Sequence, residues 1–100
     1  MLRIKIVKEA NDIKKITFLG HANYDDYGKD IVCAAASATM LCTVNAIYSI
    51  DKDSIKVIQE NNKQTINILK KDEITLKLID NMIKCLKSLE NQYPKNLEIK

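Results

Sequence analysis

Two residues that can carry out nucleophilic chemistry together lie near the start of the chain. His21 is the only histidine among the 100 residues, and Cys33 is one of three cysteines. A cysteine thiolate is a strong nucleophile, and an imidazole can take the thiol proton and return it to a leaving group. The pair is therefore a candidate catalytic centre, provided that the fold brings the two side chains together.

The residues around Cys33 predict the start of a helix. Asp30 precedes an apolar, alanine-rich run and has the residue type that N-caps prefer. Cys33 then falls in the first helical turn, where unpaired backbone N–H groups and the helix dipole stabilise an anion. We expect this position to favour the thiolate. The same helix start makes the backbone amides of Cys33 and Ala34 candidate donors of an oxyanion hole.

Three further side chains on the predicted helices need an interpretation. Ser37 lies one turn after Cys33, so its hydroxyl either bonds back to the Cys33 carbonyl or lines a cleft beside it. Cys42 and Cys85 stand among apolar residues, and we interpret both as packing residues. The cysteine spacing indicates neither a disulfide framework nor a zinc site, so we expect no metal.

A polar loop joins the two candidate catalytic residues. It is bounded by glycines, which permit hinge-like backbone changes, and it must border any cleft that the pair forms. The alternative is a solvated connector with no role in binding. The candidate substrate-binding residues of this loop are Tyr24, Asp25, Asp26 and Tyr27.

Hydrophobic periodicity predicts the elements that would position this chemistry. Alternation of apolar and polar residues indicates two strands at 2–8 and 13–19 and two more at 54–59 and 65–70. Each pair should form a hairpin, and the asparagines between the second pair tolerate the left-handed conformation that tight hairpins need. Three- and four-residue spacing indicates helices at 31–49 and 72–92, and 97–99 is a possible last edge strand. The order ββαββα predicts an α+β two-layer sandwich, with both helices on one face of a mainly antiparallel sheet.

Composition limits the class of protein. With 46% hydrophobic and 29% charged residues, one domain over residues 1–100 can bury a core and keep a solvated surface. The net charge of +3 comes from scattered lysines, which indicates indirect contact with nucleic acid at most. We find no run of about 18 apolar residues and no signal peptide, and therefore expect a cytoplasmic protein that does not span a membrane.

Two motifs in this region carry a family resemblance. G-H-A at residues 20–22, followed by Y-G-K-D-I-V-C-A-A-A-S-A at residues 27–38, resembles the signature of the ribosomal-processing cysteine protease (Prp) family. The similarity continues through T-V-N-A-I at residues 43–47, and the chain length and element order also match. The two halves at this separation form a much more specific motif than either half alone.

The resemblance implies a homodimeric thiol protease that needs no cofactor. Its expected partner is the precursor of one ribosomal protein, the twenty-seventh of the large subunit, from which it removes an N-terminal extension. By matching position, Cys33 is the nucleophile and His21 the general base. Asp30 and Ser37 match the acidic and hydroxyl positions of the motif.

Two other classes of function remain open at this point. Scattered lysines are compatible with a non-catalytic module that binds RNA or the ribosome, whose affinity would depend on salt and not on the Cys33 thiol. A stabilised thiolate is compatible with a redox sensor. Such a sensor commonly uses a second, resolving cysteine nearby. Cys42 does not fit that role, because it falls about half a turn away from Cys33 around the helix.

Overall fold

The structure is a computed structural model that describes residues 1–26 and 29–100, so the candidate loop residue Tyr27 lies outside the described residues. Both helices and all the strands predicted from periodicity are present in the predicted order, including the short last strand. In chain order the elements are β1 (Leu2–Glu9), β2 (Asp12–Leu19), α1 (Ile31–Ile50), β3 (Ile55–Glu60), β4 (Lys63–Ile68), α2 (Glu73–Gln92) and β5 (Leu97–Ile99). The α+β prediction is confirmed.

The five strands form one mixed sheet in the order β3-β4-β2-β1-β5. All neighbours are antiparallel except β1 and β5, which are parallel. The alternation read from the sequence sets the register, because β2 aligns Ile16 with Ile6 on one side and Ile66 on the other. The pairing of β2 with β4 also brings the β3–β4 turn beside the end of β2.

The two hairpin turns differ from each other in backbone conformation. Ala10 and Asn11, between β1 and β2, have φ of 53° and 69°, the left-handed pair that a tight two-residue hairpin favours. The β3–β4 turn also has two residues, Asn61 and Asn62, since β4 begins two residues earlier than periodicity predicts. Neither of these asparagines has a positive φ among the described residues. The hairpin prediction is confirmed, but its left-handed asparagine rationale is wrong.

Helix α1 packs against α2 and buries one side in the core. It is also long and apolar enough, by length and composition, to cross a membrane, which runs against the expectation from the sequence. Its contacts are nevertheless those of a core helix, because five side chains on its inward side are buried. These are Val32, Ala36, Met40, Val44 and Ile47.

The interpretation of Cys42 and Cys85 as packing residues is wrong. Both side chains are exposed, whereas Cys33 is partly buried, and all three thiols are free. In α2 the apolar side turned to the core contains Met82, Ile83 and Leu86, and Cys85 lies outside it. Apolar residues next to a cysteine in the sequence do not show that the cysteine is buried, because adjacent residues do not share a helix face.

Candidate active site

His21 follows the end of β2 after one residue, Gly20, and this position favours glycine. Gly20 has a φ of 87°, which side chains other than glycine rarely adopt. A Cβ at this position would also lie 3.0 Å from the carbonyl oxygen of Met1. The Gly20 N–H donates to the carbonyl of Asn62 at 2.9 Å, which fixes the chain just before the histidine to the β3–β4 turn.

Ala22 connects the histidine segment directly to the cysteine. Its N–H donates to the Cys33 Sγ at 3.2 Å, and its carbonyl accepts a hydrogen bond from Asn96 Nδ2 at 3.0 Å. The residue itself is only 1% exposed. The backbone next to His21 is thus held against the sulfur, and its N–H is placed to stabilise negative charge there.

Asp30 caps α1, as predicted, and also anchors the loop. Its Oδ1 accepts hydrogen bonds from the backbone N–H groups of Val32 and Cys33, at 3.0 and 2.9 Å. Its Oδ2 accepts one from the Tyr24 N–H at 3.0 Å. Burial acts to raise the pKa of Asp30, but the N–H groups of Cys33, Tyr24 and Val32 and the Cys33 side chain together hold it below its usual range. Asp30 therefore stays ionised at neutral pH.

The amides predicted to form an oxyanion hole are already engaged in this structure. The Cys33 N–H donates to the Asp30 side chain, and the Ala34 N–H donates to the Asp30 carbonyl at 3.0 Å. In this conformation the N-cap takes up the donors that the helix start would otherwise leave free. The backbone donor that does point at the sulfur belongs to Ala22.

His21 is exposed and is paired through its side chain with a residue that sequence patterning does not single out. Its Nε2 lies 3.3 Å from the Oδ1 of Asn62, a residue 41 positions away. Asn62 sits in the β3–β4 turn, and the β2–β4 pairing alone brings it here. The only sequence signal that could have found it is the predicted hairpin, whose tip would have to be placed beside the end of β2.

His21 and Cys33 line the same cleft, which has a volume of about 690 Å³. Its apolar lining includes the nearly buried side chains of Leu2, Phe18 and Met40. Ser37 also lines this cleft, which favours the second of its two interpretations. Among the described residues its hydroxyl does not bond back to the Cys33 carbonyl, although Thr39 and Thr43 on the same helix form such bonds.

The candidate loop residues that the structure describes differ in where their side chains lie. Asp25 lines the cleft, and its Oδ1 accepts a hydrogen bond from the Asp26 N–H at 2.7 Å. Tyr24 instead packs edge-on against Tyr93, with ring centroids 5.2 Å apart and an interplanar angle of 82°. That contact holds the start of the loop against the end of α2. The ring of Tyr24 therefore packs within the protein in this structure.

Known proteins are similar to this chain in both sequence and fold. A family model described as Cysteine protease Prp matches residues 1–98. The chain belongs to the cysteine protease Prp family. A ribosomal processing cysteine protease Prp from Staphylococcus aureus is 32% identical over 97 residues, which cover 90% of this chain and 91% of the relative. The family resemblance read from the two motifs is therefore confirmed.

Crystal structures of Prp from S. aureus have the same fold. One, in complex with a covalently linked product peptide, has a TM-score of 0.93 at 25% identity and covers 100% of this chain and 98% of the other. A second, with a substrate peptide, has a TM-score of 0.87 at 24% identity over the same shares. The chain is thus a cysteine-type peptidase with the Prp fold, and the prediction of an enzyme is confirmed.

The three thiols should differ sharply in reactivity. We expect Cys33 to react with limiting iodoacetamide near neutral pH well before Cys42 and Cys85, because only Cys33 has a helix start and the Ala22 N–H to stabilise its thiolate. Peptide mapping after brief labelling measures this. Since Cys42 and Cys85 are the more exposed thiols, accessibility alone predicts the opposite order, and faster labelling of either one would contradict the activated thiolate.

Proposed function

We propose that this peptidase removes an N-terminal extension from the precursor of a large-subunit ribosomal protein, the twenty-seventh, with Cys33 as nucleophile and His21 as general base. The observation that carries the proposal is the convergence of both side chains on one cleft, with a backbone N–H aimed at the sulfur. The proposed substrate class is supported by the S. aureus relative, a ribosomal processing cysteine protease.

The reaction proceeds in two steps through an acyl-enzyme. His21 takes the thiol proton, the Cys33 thiolate attacks the scissile carbonyl, and the C–N bond breaks as the imidazolium protonates the leaving amine. The carbonyl half of the substrate is then held on sulfur as a thioester. A water molecule, deprotonated by His21, hydrolyses the thioester, releases the extension and restores the thiol. The Ala22 N–H is the donor placed nearest the negative charge on sulfur.

The cleft fits a peptide that has both apolar and basic residues. Leu2, Phe18 and Met40 offer an apolar floor beside the nucleophile for one side chain near the cut. Asp25 places a carboxylate on the wall of the same cleft. Ribosomal proteins are typically rich in lysine and arginine, so this charge would attract the basic chain.

Intact-mass analysis of a purified precursor tests the proposed reaction. The full-length ribosomal protein with its extension is incubated with the enzyme, beside the mature protein that lacks the extension. We expect one new mass from the precursor, which corresponds to loss of the extension, and no change in the mature protein. An uncut precursor, or equal cutting of both proteins at many sites, would contradict selective removal of the extension.

Asp25 should contribute to substrate capture through its charge. We expect Asp25→Asn to lower kcat/KM for the precursor several-fold at low salt and to weaken the dependence of kcat/KM on salt. Steady-state kinetics at several salt concentrations measures both effects. Asp26→Asn removes the same charge from the neighbouring position and should act less.

The reactivity of Cys33 serves as the control for Asp25→Asn. The rate of Cys33 alkylation by iodoacetamide should be unchanged in Asp25→Asn, because the substitution leaves the thiol and the imidazole in place. Wild-type kcat/KM for both variants at low and high salt would show that neither carboxylate takes part in capture, and the loop would then be a solvated connector.

We also propose that the enzyme works as a cytoplasmic homodimer. Three large apolar side chains of α1 remain more than half exposed, with 53% of Ile31, 56% of Leu41 and 57% of Ile50 accessible. Ile31 and Leu41 fall within about 80° of each other around the helix, and a second copy that packs there would remove both from water. Light scattering measures the mass: we expect twice the 11.4 kDa of one chain, and a monomer at micromolar concentration would overturn the dimer.

A further inference from the structure

Asn62 is held in place next to the catalytic segment by backbone contacts. It occupies the second position of the β3–β4 turn, and the next residue, Lys63, pairs with Leu19 of β2. Its carbonyl accepts the hydrogen bond from the Gly20 N–H at 2.9 Å. The backbone around Asn62 is therefore hydrogen-bonded to the last residues before His21.

The side-chain contact with His21 restricts where the imidazole carries its proton. The Asn62 Oδ1 is a carbonyl oxygen and can only accept a hydrogen bond. The 3.3 Å contact with Nε2 is therefore a hydrogen bond only when Nε2 bears the proton. In a neutral imidazole the other nitrogen, Nδ1, then carries the free lone pair.

We propose that Asn62 is a positioning residue that fixes His21 in the tautomer with Nδ1 as the base. The inference rests on the proposed Cys33–His21 mechanism and adds a third residue to it. Among the described residues the Asn62 side chain hydrogen-bonds to His21 and not to Cys33, so it acts on the sulfur through His21. When His21 takes the thiol proton, the Nε2–H···Oδ1 bond gains a charged donor and becomes stronger, which stabilises the imidazolium. This arrangement has the logic of a Cys-His-Asn triad.

A neutral acceptor suits a histidine that must both take and release a proton. An aspartate in the same place would hold the imidazolium more tightly and favour the thiolate–imidazolium pair at lower pH. Asn62 and His21 are both exposed, so water competes for the bond and its effect on rate is moderate. We expect a loss of about 10-fold in kcat when Asn62 is removed, far less than the loss on replacing a buried residue that orients a catalytic histidine.

Two substitutions at position 62 separate a positioning role from a structural one. Asn62→Ala removes the acceptor, and Asn62→Asp keeps an acceptor of nearly the same shape but adds a negative charge. The measurements are kcat and KM for the precursor and the pH at which Cys33 alkylation by iodoacetamide reaches half its maximal rate. The matched control is Asn81→Ala, which makes the same change at an exposed asparagine of α2 outside the cleft.

The expected results have opposite signs for the two variants. Asn62→Ala lowers kcat about 10-fold, changes KM less than about 2-fold and raises the half-maximal pH of alkylation, because the imidazolium loses an acceptor. Asn62→Asp lowers the half-maximal pH, because the added charge stabilises the imidazolium. Asn81→Ala leaves both quantities at their wild-type values.

Loss of structure cannot produce this pattern, since damage to the hairpin would move both variants in the same direction. A wild-type kcat and alkylation profile for Asn62→Ala would overturn the proposal, and so would a shift of the same sign in Asn62→Ala and Asn62→Asp. The alkylation profile needs no peptide substrate. If the wild-type enzyme left the ribosomal precursor uncut, the proposed substrate would fail while the profile still decided the role of Asn62.

Discussion

Replacing Cys33 by serine will abolish precursor cleavage while the domain stays folded. The serine hydroxyl can still accept the Ala22 N–H bond that Cys33 Sγ accepts at 3.2 Å, so the local structure keeps its partner. A hydroxyl beside a neutral imidazole is nevertheless a far poorer nucleophile than a thiolate. We expect kcat to fall by about 10⁴-fold or more, as it does when the nucleophile of a catalytic unit is removed. Intact-mass analysis of the precursor measures the loss.

Cys33→Ala should be equally inactive but less stable than Cys33→Ser. Alanine suits a helix and fits an alanine-rich one, yet it leaves the N–H of the buried Ala22 without its acceptor. An unpaired buried donor costs about 1–3 kcal/mol, which thermal unfolding can detect. The matched control is Cys42→Ala, at an exposed thiol on the same helix, which should cleave like the wild type. Substantial product from either Cys33 variant would remove Cys33 from catalysis.

Removal of the His21 imidazole is the second substitution with a large expected effect. His21→Ala should lower kcat by about 10²- to 10⁴-fold, the range for loss of a positioned general acid–base group. It should also slow Cys33 alkylation at neutral pH, because the thiolate loses its imidazolium partner. The fold should be retained, since His21 is exposed and its side-chain hydrogen bond runs only to Asn62 among the described residues.

Free imidazole supplies the decisive control for this variant. The cleft is open at the exposed His21, so added imidazole can occupy the vacated space and accept the thiol proton. We expect it to restore part of the activity of His21→Ala and none of the activity of Cys33→Ser. Activity of His21→Ala within about threefold of the wild type would show that another group is the base.

Much of the fold follows from local patterns. Alternation in β1 and β2, the three- and four-residue spacing in both helices and the capping type of Asp30 each predict the element that the structure contains. These signals work because each one reflects a local geometric requirement. The predicted turn between β3 and β4 shows their limit: the hairpin forms, but without the left-handed asparagines that the turn chemistry favours.

The site itself was predictable only in part, because some of its contacts are tertiary. The two motifs place Cys33 and His21, and the cleft brings them together. The contact between His21 and Asn62 spans 41 residues and depends on β4 pairing with β2, which neither residue signals locally. The hydrogen bonds of the Cys33 amide were not predictable for a different reason. The same Asp30 that marks the helix start also occupies the Cys33 amide that the start would otherwise expose.

Covalent capture by a substrate-like electrophile tests the central claim most directly. Intact-mass analysis of the precursor first gives the position of the cut. A peptide with the residues that precede that position, ending in an electrophilic ketone with a leaving group, is then incubated with the enzyme, and the modified residue is mapped by mass spectrometry. We predict one adduct per chain, on Cys33, with activity lost in proportion to the adduct and no adduct in Cys33→Ala. Complete inactivation with the label on Cys42 or Cys85, or with Cys33 unmodified, would contradict the assignment of Cys33 as the nucleophile.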